Sequence, residues 1–317
     1  MSIYSHIILS LVILLTEKVW AAKFTFINKC DFTVWPGILG IPMLDTTGFE
    51  LPNESSRSFQ APTGWSGRFW GRTGCNFQSP TPRSCSTGDC GSGEIECNNA
   101  GSEPPTTLAE FTLGSGSGQD FYDVSLVDGY NLPMAVDARG GSGACESTGC
   151  AVDINKHCPS ELRAADGDAC KSACGAFGSP EYCCSGEYNS PAVCMPSMYS
   201  EMFKNACPRS YSYAYDDESS TFTCTAADYT ITFCPSNFTS TPSSDKKGTP
   251  TSNTPTNGSD SGSGYSDRGS PKLEDVSWFA NLATGDSTIA CRSSFTLRLV
   301  LMVAFVVNYT IIDLFVG

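Results

Sequence analysis

Between Ala22 and Pro235 the chain carries short runs of β-branched and aromatic residues: Phe24 to Ile27, Thr33 to Trp35, Ser58 to Gln60, Gly67 to Trp70, Leu108 to Phe111, Phe121 to Leu126 and Tyr229 to Phe233. Gly, Pro and Asn punctuate them, which is the pattern of a β-sandwich or barrel. Period-two alternation over Phe121 to Leu126 puts Phe121, Asp123 and Ser125 on one face and Tyr122, Val124 and Leu126 on the other. Asp123 is therefore expected to point away from the aliphatic core. The stretch from Cys145 to Cys207 has closely spaced cysteines and little strand patterning, so it reads as a loop-rich lobe held by bridges. One helix is expected at Ser197 to Ala206, where Met198, Met202 and Phe203 recur at i, i+4 and i+5 and are read as core.

The pattern changes at both ends. Ile7 to Leu15 is a short apolar run followed by Val19-Trp20-Ala21, so residues 1–21 read as a secretory signal peptide. Ser236 to Pro271 is a run of Ser, Thr, Pro, Gly and Asp that cannot bury enough surface to offset its ordering entropy. Residues 236–280 are thus expected to form a stalk, with Ser/Thr/Pro richness suited to O-glycosylation. From Phe295 the chain is apolar again, but Arg298 and Asp313 leave about fourteen uninterrupted residues, short of the roughly 20 a spanning helix needs. Small residues at 281–287 precede this tail, and no basic segment follows it. Residues 281–317 therefore read as a glycosylphosphatidylinositol attachment signal, with a retained span and a soluble product as the alternatives. Asn53, Asn237 and Asn257 fit the N-glycan acceptor pattern.

Composition narrows the compartment and the partners. The 17 cysteines of this 317-residue chain place it in an oxidising compartment. Loss of Cys291 with the tail would leave an even number that can pair completely. The net charge of −14 repels phosphate backbones, so nucleic acid is not an expected partner. Of the 2 histidines, His6 lies in the expected leader, leaving His157 beside Cys158 as a poor member of any Ser/His/Asp triad. No G-x-S-x-G elbow is present. Cys170-x-x-x-Cys174 and Cys183-Cys184 mimic metal ligands, but paired cysteines leave no thiolates, so neither a metal nor a cofactor is expected.

At the cysteines the sequence resembles a known family. Gly71 to Phe77, Cys85 to Cys90, Cys97, Pro104 to Phe111, Asp120 to Gly129, Tyr182 to Cys184 and Cys207 to Tyr213 are similar to the corresponding stretches of the thaumatin-like proteins, the fifth group of plant pathogenesis-related proteins. The likeness spans residues 22–235. It implies a mainly β fold, a thaumatin-like β-sandwich with a disulfide-rich loop and helix lobe. It also implies eight bridges: Cys30 to Cys234, Cys75 to Cys85, Cys90 to Cys97, Cys145 to Cys224, Cys150 to Cys207, Cys158 to Cys170, Cys174 to Cys183 and Cys184 to Cys194. Spacing alone does not choose among the pairings. The chain departs from the family's usual residues at Pro82-Arg83-Ser84 and at Arg209.

The resemblance further implies an acidic cleft between sandwich and lobe, matched by Arg68, Glu110, Asp123, Asp128 and Asp216 or Asp217. Two carboxyls flanking a sugar bond serve as acid plus nucleophile or base, about 5 Å apart for retention and roughly 6.5–9.5 Å for inversion. Glu110 is the candidate proton donor and Asp123 its partner. Arg68 is placed to orient one carboxylate and keep it ionised. Phe111, Tyr122 and Tyr215 are candidates to stack on sugar rings, with the core as the competing reading for them. The function so implied is a secreted or surface-anchored, monomeric defence protein. It would bind β-1,3-glucan or other fungal wall polysaccharide, as an antifungal protein or a weak endo-β-1,3-glucanase. The alternative is a non-enzymatic recognition module or an inhibitor of microbial hydrolases, with microbial or host surface proteins as partners.

Overall fold

A computed structural model describes residues 20–78, 83–115 and 118–236. Most of the expected leader, the stalk beyond Ser236, Asn237, Asn257 and the C-terminal tail lie outside the described residues. Two five-stranded sheets form the sandwich, in the orders β3-β1-β10-β7-β8 and β2-β4-β5-β6-β9. The strands are β1 (Trp20–Asn28), β2 (Trp35–Ile41), β3 (Ser56–Pro62), β4 (Ser66–Arg72), β5 (Leu108–Thr112), β6 (Asp120–Ser125), β7 (Met134–Arg139), β8 (Thr148–Cys150), β9 (Phe222–Cys224) and β10 (Asp228–Phe233). β1 and β10 run parallel. Cys30–Cys234 fastens the ends of that pair across a sequence separation of 204. By chain entropy, closing so long a loop contributes about 5 kcal/mol.

The strands form because their alternate residues meet in one aromatic core. Tyr229, Ile231 and Phe233 of β10 are buried with Phe24 and Phe26 of β1, opposite Phe69 of β4 and Phe111 of β5. The Phe24 ring lies 4.8 Å edge-on from both Phe69 and Phe111, and Trp65 stacks on Phe69 at 5.0 Å. Each such ring contributes about 1.5–3 kcal/mol by burial. Tyr122 and Val124 join this core from β6, while Leu126 belongs to a second one.

That second core, in the lobe, is smaller: Leu126, Tyr130, Ile154, Leu162 and Phe203 pack with Cys150, Cys158, Cys170 and Cys207. The lobe carries three short helices, α1 (Ala173–Phe177), α2 (Pro180–Cys183) and α3 (Met198–Ala206). A capping box starts α3: Ser200 N donates to Ser197 Oγ at 3.1 Å and Ser197 N donates to Ser200 Oγ at 2.8 Å. Phe203 is buried and Met202 half-buried, but Met198 is 74% exposed. The expectation that Met198 is core is therefore corrected. It stands in the first turn, on the rim of a helix whose contact with the lobe is made one turn later. α4 (Asp217–Ser220) leads into β9.

All eight bridges of the implied pairing are formed. Arg209 ties lobe to sandwich. Its Nη2 lies 2.6 Å from Glu146 Oε2, its Nε donates to Ser147 O at 2.7 Å, and its guanidinium covers Phe222 at 4.4 Å. Among the described residues, no helix is long and apolar enough to cross a membrane.

Candidate functional site

Antiparallel register builds a row of ionisable groups across the outer face of the second sheet. Arg68 on β4 stands opposite Glu110 on β5, and Glu110 stands opposite Asp123 on β6. The alternation that turns Phe69, Ala109 and Val124 into the core turns these three outward. Outward does not mean into solvent for Asp123, which has no accessible surface, whereas Glu110 is half-buried. Glycine shapes the rim: a Cβ at Gly101 would stand 2.8 Å from Arg68 Nη2.

The turn after β6 adds Asp128. Gly129 N donates to Leu126 O at 2.9 Å, and Thr106 N donates to Asp128 O at 3.1 Å, which leaves the Asp128 side chain half-buried near the Arg68 charge. The lobe side adds Asp217 through Tyr211. Tyr211 lies along β6, with its N donating to Val124 O and its O accepting from Leu126 N, both at 2.9 Å. Its hydroxyl donates to Asp217 Oδ1 at 2.8 Å and also meets the Thr221 hydroxyl.

The structure separates the two aspartates that sequence reasoning left as alternatives. Asp217 is close enough for its charge to act on Asp123. Asp216 is occupied by structure instead: its Oδ2 accepts from Ser212 N and Ser212 Oγ at 2.9 Å and pairs with Lys204 Nζ at 2.9 Å.

Electrostatics follow from burial. Glu110 is lifted by burial to about 7, against the pull of the Arg68 guanidinium and with Asp128 adding to the rise. Asp123 is held well above the usual aspartate range by burial, then by Glu110 and Asp217. Neither of its oxygens makes a hydrogen bond. Asp128 is also raised by burial, with Arg68 opposing. Facing carboxyls in a desolvated row cannot all ionise, so the row holds protons at neutral pH. A protonated Glu110 presents an O–H donor beside carboxylate acceptors and one guanidinium, a set suited to hydroxyl-rich ligands.

Two expected sugar-stacking rings are corrected. Phe111 and Tyr122 are sealed in the aromatic core, because they fall on the opposite faces of β5 and β6 from Glu110 and Asp123. Tyr215 is half-buried on the lobe side. Tyr213, which sequence reasoning missed, is half-buried close to the charges of Asp216 and Asp217. Tyr211 was missed as well, since nothing in its local pattern marks it as the bridge between β6 and Asp217. Asn53 is exposed, with Nδ2 donating to Cys30 O at 2.6 Å. His157 is exposed at the end of a 3-10 turn, Ile154–His157.

Comparison with known proteins fits this architecture. The family model described as the Thaumatin family matches residues 28–235. "Thaumatin-like protein 1" of Arabidopsis thaliana is 68% identical over 225 residues, covering 68% of this chain and 86% of that protein. "Pathogenesis-related protein 5" of the same plant is 53% identical over 235 residues, covering 73% and 97%. "Glucan endo-1,3-beta-glucosidase" of Prunus avium is 52% identical over 235 residues, covering 72% and 96%.

Proposed function

The chain belongs to the thaumatin family, and from that premise we propose that it is a plant defence protein that binds β-1,3-glucan along the Arg68, Glu110, Asp123 row. The carrying observation is the register that aligns these three groups across β4, β5 and β6. In this reading Arg68 and protonated Glu110 donate to sugar hydroxyls, while Asp128 and Asp217 accept from them. Asp123 lies beneath the surface, facing Glu110, and it is burial and Asp128 that help Glu110 retain its proton. Half-buried Tyr213 and Tyr215 offer ring faces in place of Phe111 and Tyr122.

Hydrolysis is the second reading, favoured by the rise of Glu110 to about 7, the value of a general acid at neutral pH. Glu110 would protonate the glycosidic oxygen. The second carboxylate would have to be the half-buried Asp128 or Asp217, because the sealed Asp123 reaches no sugar without movement of the lobe. The leader, stalk and lipid-anchor signal complete the proposal, placing the domain outside the cell and at its surface. The Prunus avium relative carries a glucanase name, which supports the ligand class.

The test is retention of the 22–235 domain on insoluble β-1,3-glucan, with reducing-end release from soluble glucan measured beside it. Wild type is expected to be retained and Glu110→Gln to bind about tenfold more weakly, the loss of one hydrogen bond in a desolvated site. Equal retention of the two proteins would remove the row from glucan recognition. End release by wild type but not by Glu110→Gln would establish the second reading.

A further inference from the structure

A second concavity, of about 780 Å³, opens where the first loop meets the lobe, and no member of the Arg68 row lines it. Its functional groups are Asp31, Phe32, Trp35, Asp153, Asn155 and Asp168. Thr73, which also lines it, follows Arg68 by five positions along extended backbone, about 17 Å at the rise of a strand. We propose that this concavity is a separate carbohydrate site, for amino sugars that carry free ammonium groups.

Three observations point to that ligand class. The first is charge: three aspartates and no Lys, Arg or His line the concavity. Lys156 Nζ reaches Asp153 Oδ2 at 3.2 Å, but its side chain is 74% exposed, and such a pair is worth about 0–1 kcal/mol. A ligand ammonium can take its place at little cost.

The second is the commitment of the side-chain amide donors. Asn155 Nδ2 is committed to Asn131 O and Asp168 O, each at 2.9 Å, while Asn155 Oδ1 is buried and receives no hydrogen bond. Asn131 Nδ2 is likewise committed, to Gly71 O at 2.8 Å and Thr87 Oγ1 at 2.9 Å. The side-chain amides thus have their donors used, and a carboxylate has none. A neutral glucan brings hydroxyls that need both donors and acceptors. The wall hydroxyls of Thr33, Thr73 and Ser86 can donate as well as accept, and an ammonium, which brings three donors and no acceptor, is met by the three carboxylates.

The third is the aromatic surface. Phe32 is 44% exposed and Trp35 half-buried, and both line the concavity. Their faces suit the apolar C–H face of a pyranose and also attract a cation. The loop that carries Phe32 is already fixed. Asn28 Nδ2 donates to Phe32 O at 2.8 Å and to Leu51 O at 2.9 Å, Cys30 N donates to Asn28 Oδ1 at 2.9 Å, and Cys30 is bonded to Cys234. Little order has to be gained on binding. The volume falls within the roughly 300–1,000 Å³ of small-molecule sites, room for a short oligosaccharide.

Titration calorimetry of the intact protein at physiological salt, with a β-1,4-linked glucosamine tetramer as probe, tests the proposal. The N-acetylated tetramer, a β-1,3-glucan tetramer and a tetralysine peptide serve as comparators. The expected result is single-site binding of the glucosamine tetramer, tighter than any comparator. Asp168→Asn and Phe32→Ala should each weaken it about tenfold, whereas Phe32→Tyr retains it and Asp45→Asn, outside the lining, leaves it unchanged. Unchanged melting temperatures in the variants show that folding is not the cause. Absence of heat with the glucosamine tetramer overturns the proposal. So does equal or tighter binding of tetralysine, because the concavity would then read charge alone. Binding that Asp45→Asn weakens as much as Asp168→Asn overturns it too, by assigning the effect to the net charge of the whole protein.

Discussion

The two ends of β4 each present an arginine on the same outward face, four residues apart, and they have opposite characters. At one end Arg72 is buried, with Nε donating to Trp35 O at 2.9 Å and Nη2 to Ile95 O at 2.5 Å. Its acidic neighbours are satisfied. Glu96 accepts from Thr46 Oγ1 at 2.7 Å, Thr47 N at 2.6 Å, Thr47 Oγ1 at 2.7 Å and Gly48 N at 3.0 Å. Asp89 accepts from the amides of Ser84, Cys85 and Gly91. At the other end Arg68 faces Glu110 and, beyond it, Asp123, whose two oxygens accept nothing. Burial acts on both ends. It is outweighed at Glu96, where the Thr46 and Thr47 hydroxyls and the Thr47 and Gly48 amides hold the carboxyl below its usual range. It prevails at Glu110 and Asp123. The Glu96 carboxylate is given its donors by the chain, whereas the Asp123 carboxyl is buried without them.

The largest effect that bears on this contrast is expected from Glu96→Ala. The substitution removes four hydrogen bonds to a charged acceptor, takes the carboxylate from the Thr47 amide and leaves the Gly48 amide only the longer bond to Thr46 Oγ1 at 3.3 Å. The cost should be about 3 kcal/mol, a fall of roughly 10 °C in the melting temperature of a domain this size. Thermal unfolding at pH 7 measures it. An unmoved midpoint would mean that the Arg72 end is no better braced than the Arg68 end, and the contrast would collapse.

The pH dependence should divide the two ends by sign. Glu110 and Asp123 titrate higher in the folded protein than in the unfolded chain, so their contribution is complete at low pH and is lost as pH rises, for Glu110 through about 7. For Glu110 the swing is at most about 3 kcal/mol, from the distance between 4.5 and about 7. Glu96 titrates lower when folded, so its contribution is present above the ordinary glutamate range and is lost on acidification. Chemical denaturation from pH 2 to pH 8 is expected to show Glu110→Gln flattening the fall between pH 4.5 and 7, and Glu96→Gln flattening the rise below pH 4.5. A Glu110→Gln profile parallel to wild type would show that the row is solvated and ionised.

How far the sequence reveals these two ends depends on how local each signal is. The seven β-branched and aromatic runs all fall on or beside strands, and alternation alone assigns Asp123 to the face opposite Val124. The same alternation already put Tyr122 in the core and so argued against its use as a sugar platform. β7, with its run Met134-Ala-Val-Asp-Ala-Arg139, and the three-residue β9 carry too little apolar pattern to be noticed. Met198 misleads because periodicity finds a face of α3 but not where along the helix the contact begins. The row itself needs strand order and register, which join positions 68, 110 and 123 through pairings that no local pattern encodes; only the family resemblance gathered them. The Glu96 network left no trace at all, since its partners at positions 46 to 48 are about fifty residues away.

The smallest effect, and the sharpest test of the contrast, is Asp123→Asn. Because burial, then Glu110 and Asp217, hold the carboxyl well above its usual range, folding favours its uncharged form, and asparagine has almost the same shape. No hydrogen bond is lost, for none is made. Stability at pH 5 should therefore stay within about 1 kcal/mol of wild type. At pH 8 the variant should gain on wild type, since it escapes the cost of ionising a carboxyl that faces Glu110 and Asp217 in a desolvated row. Guanidinium midpoints at the two pH values read this directly. A variant destabilised at both by several kcal/mol would mean that Asp123 is an ionised partner of Arg68, and the Arg68 end of β4 would then be a second structural brace like the Arg72 end.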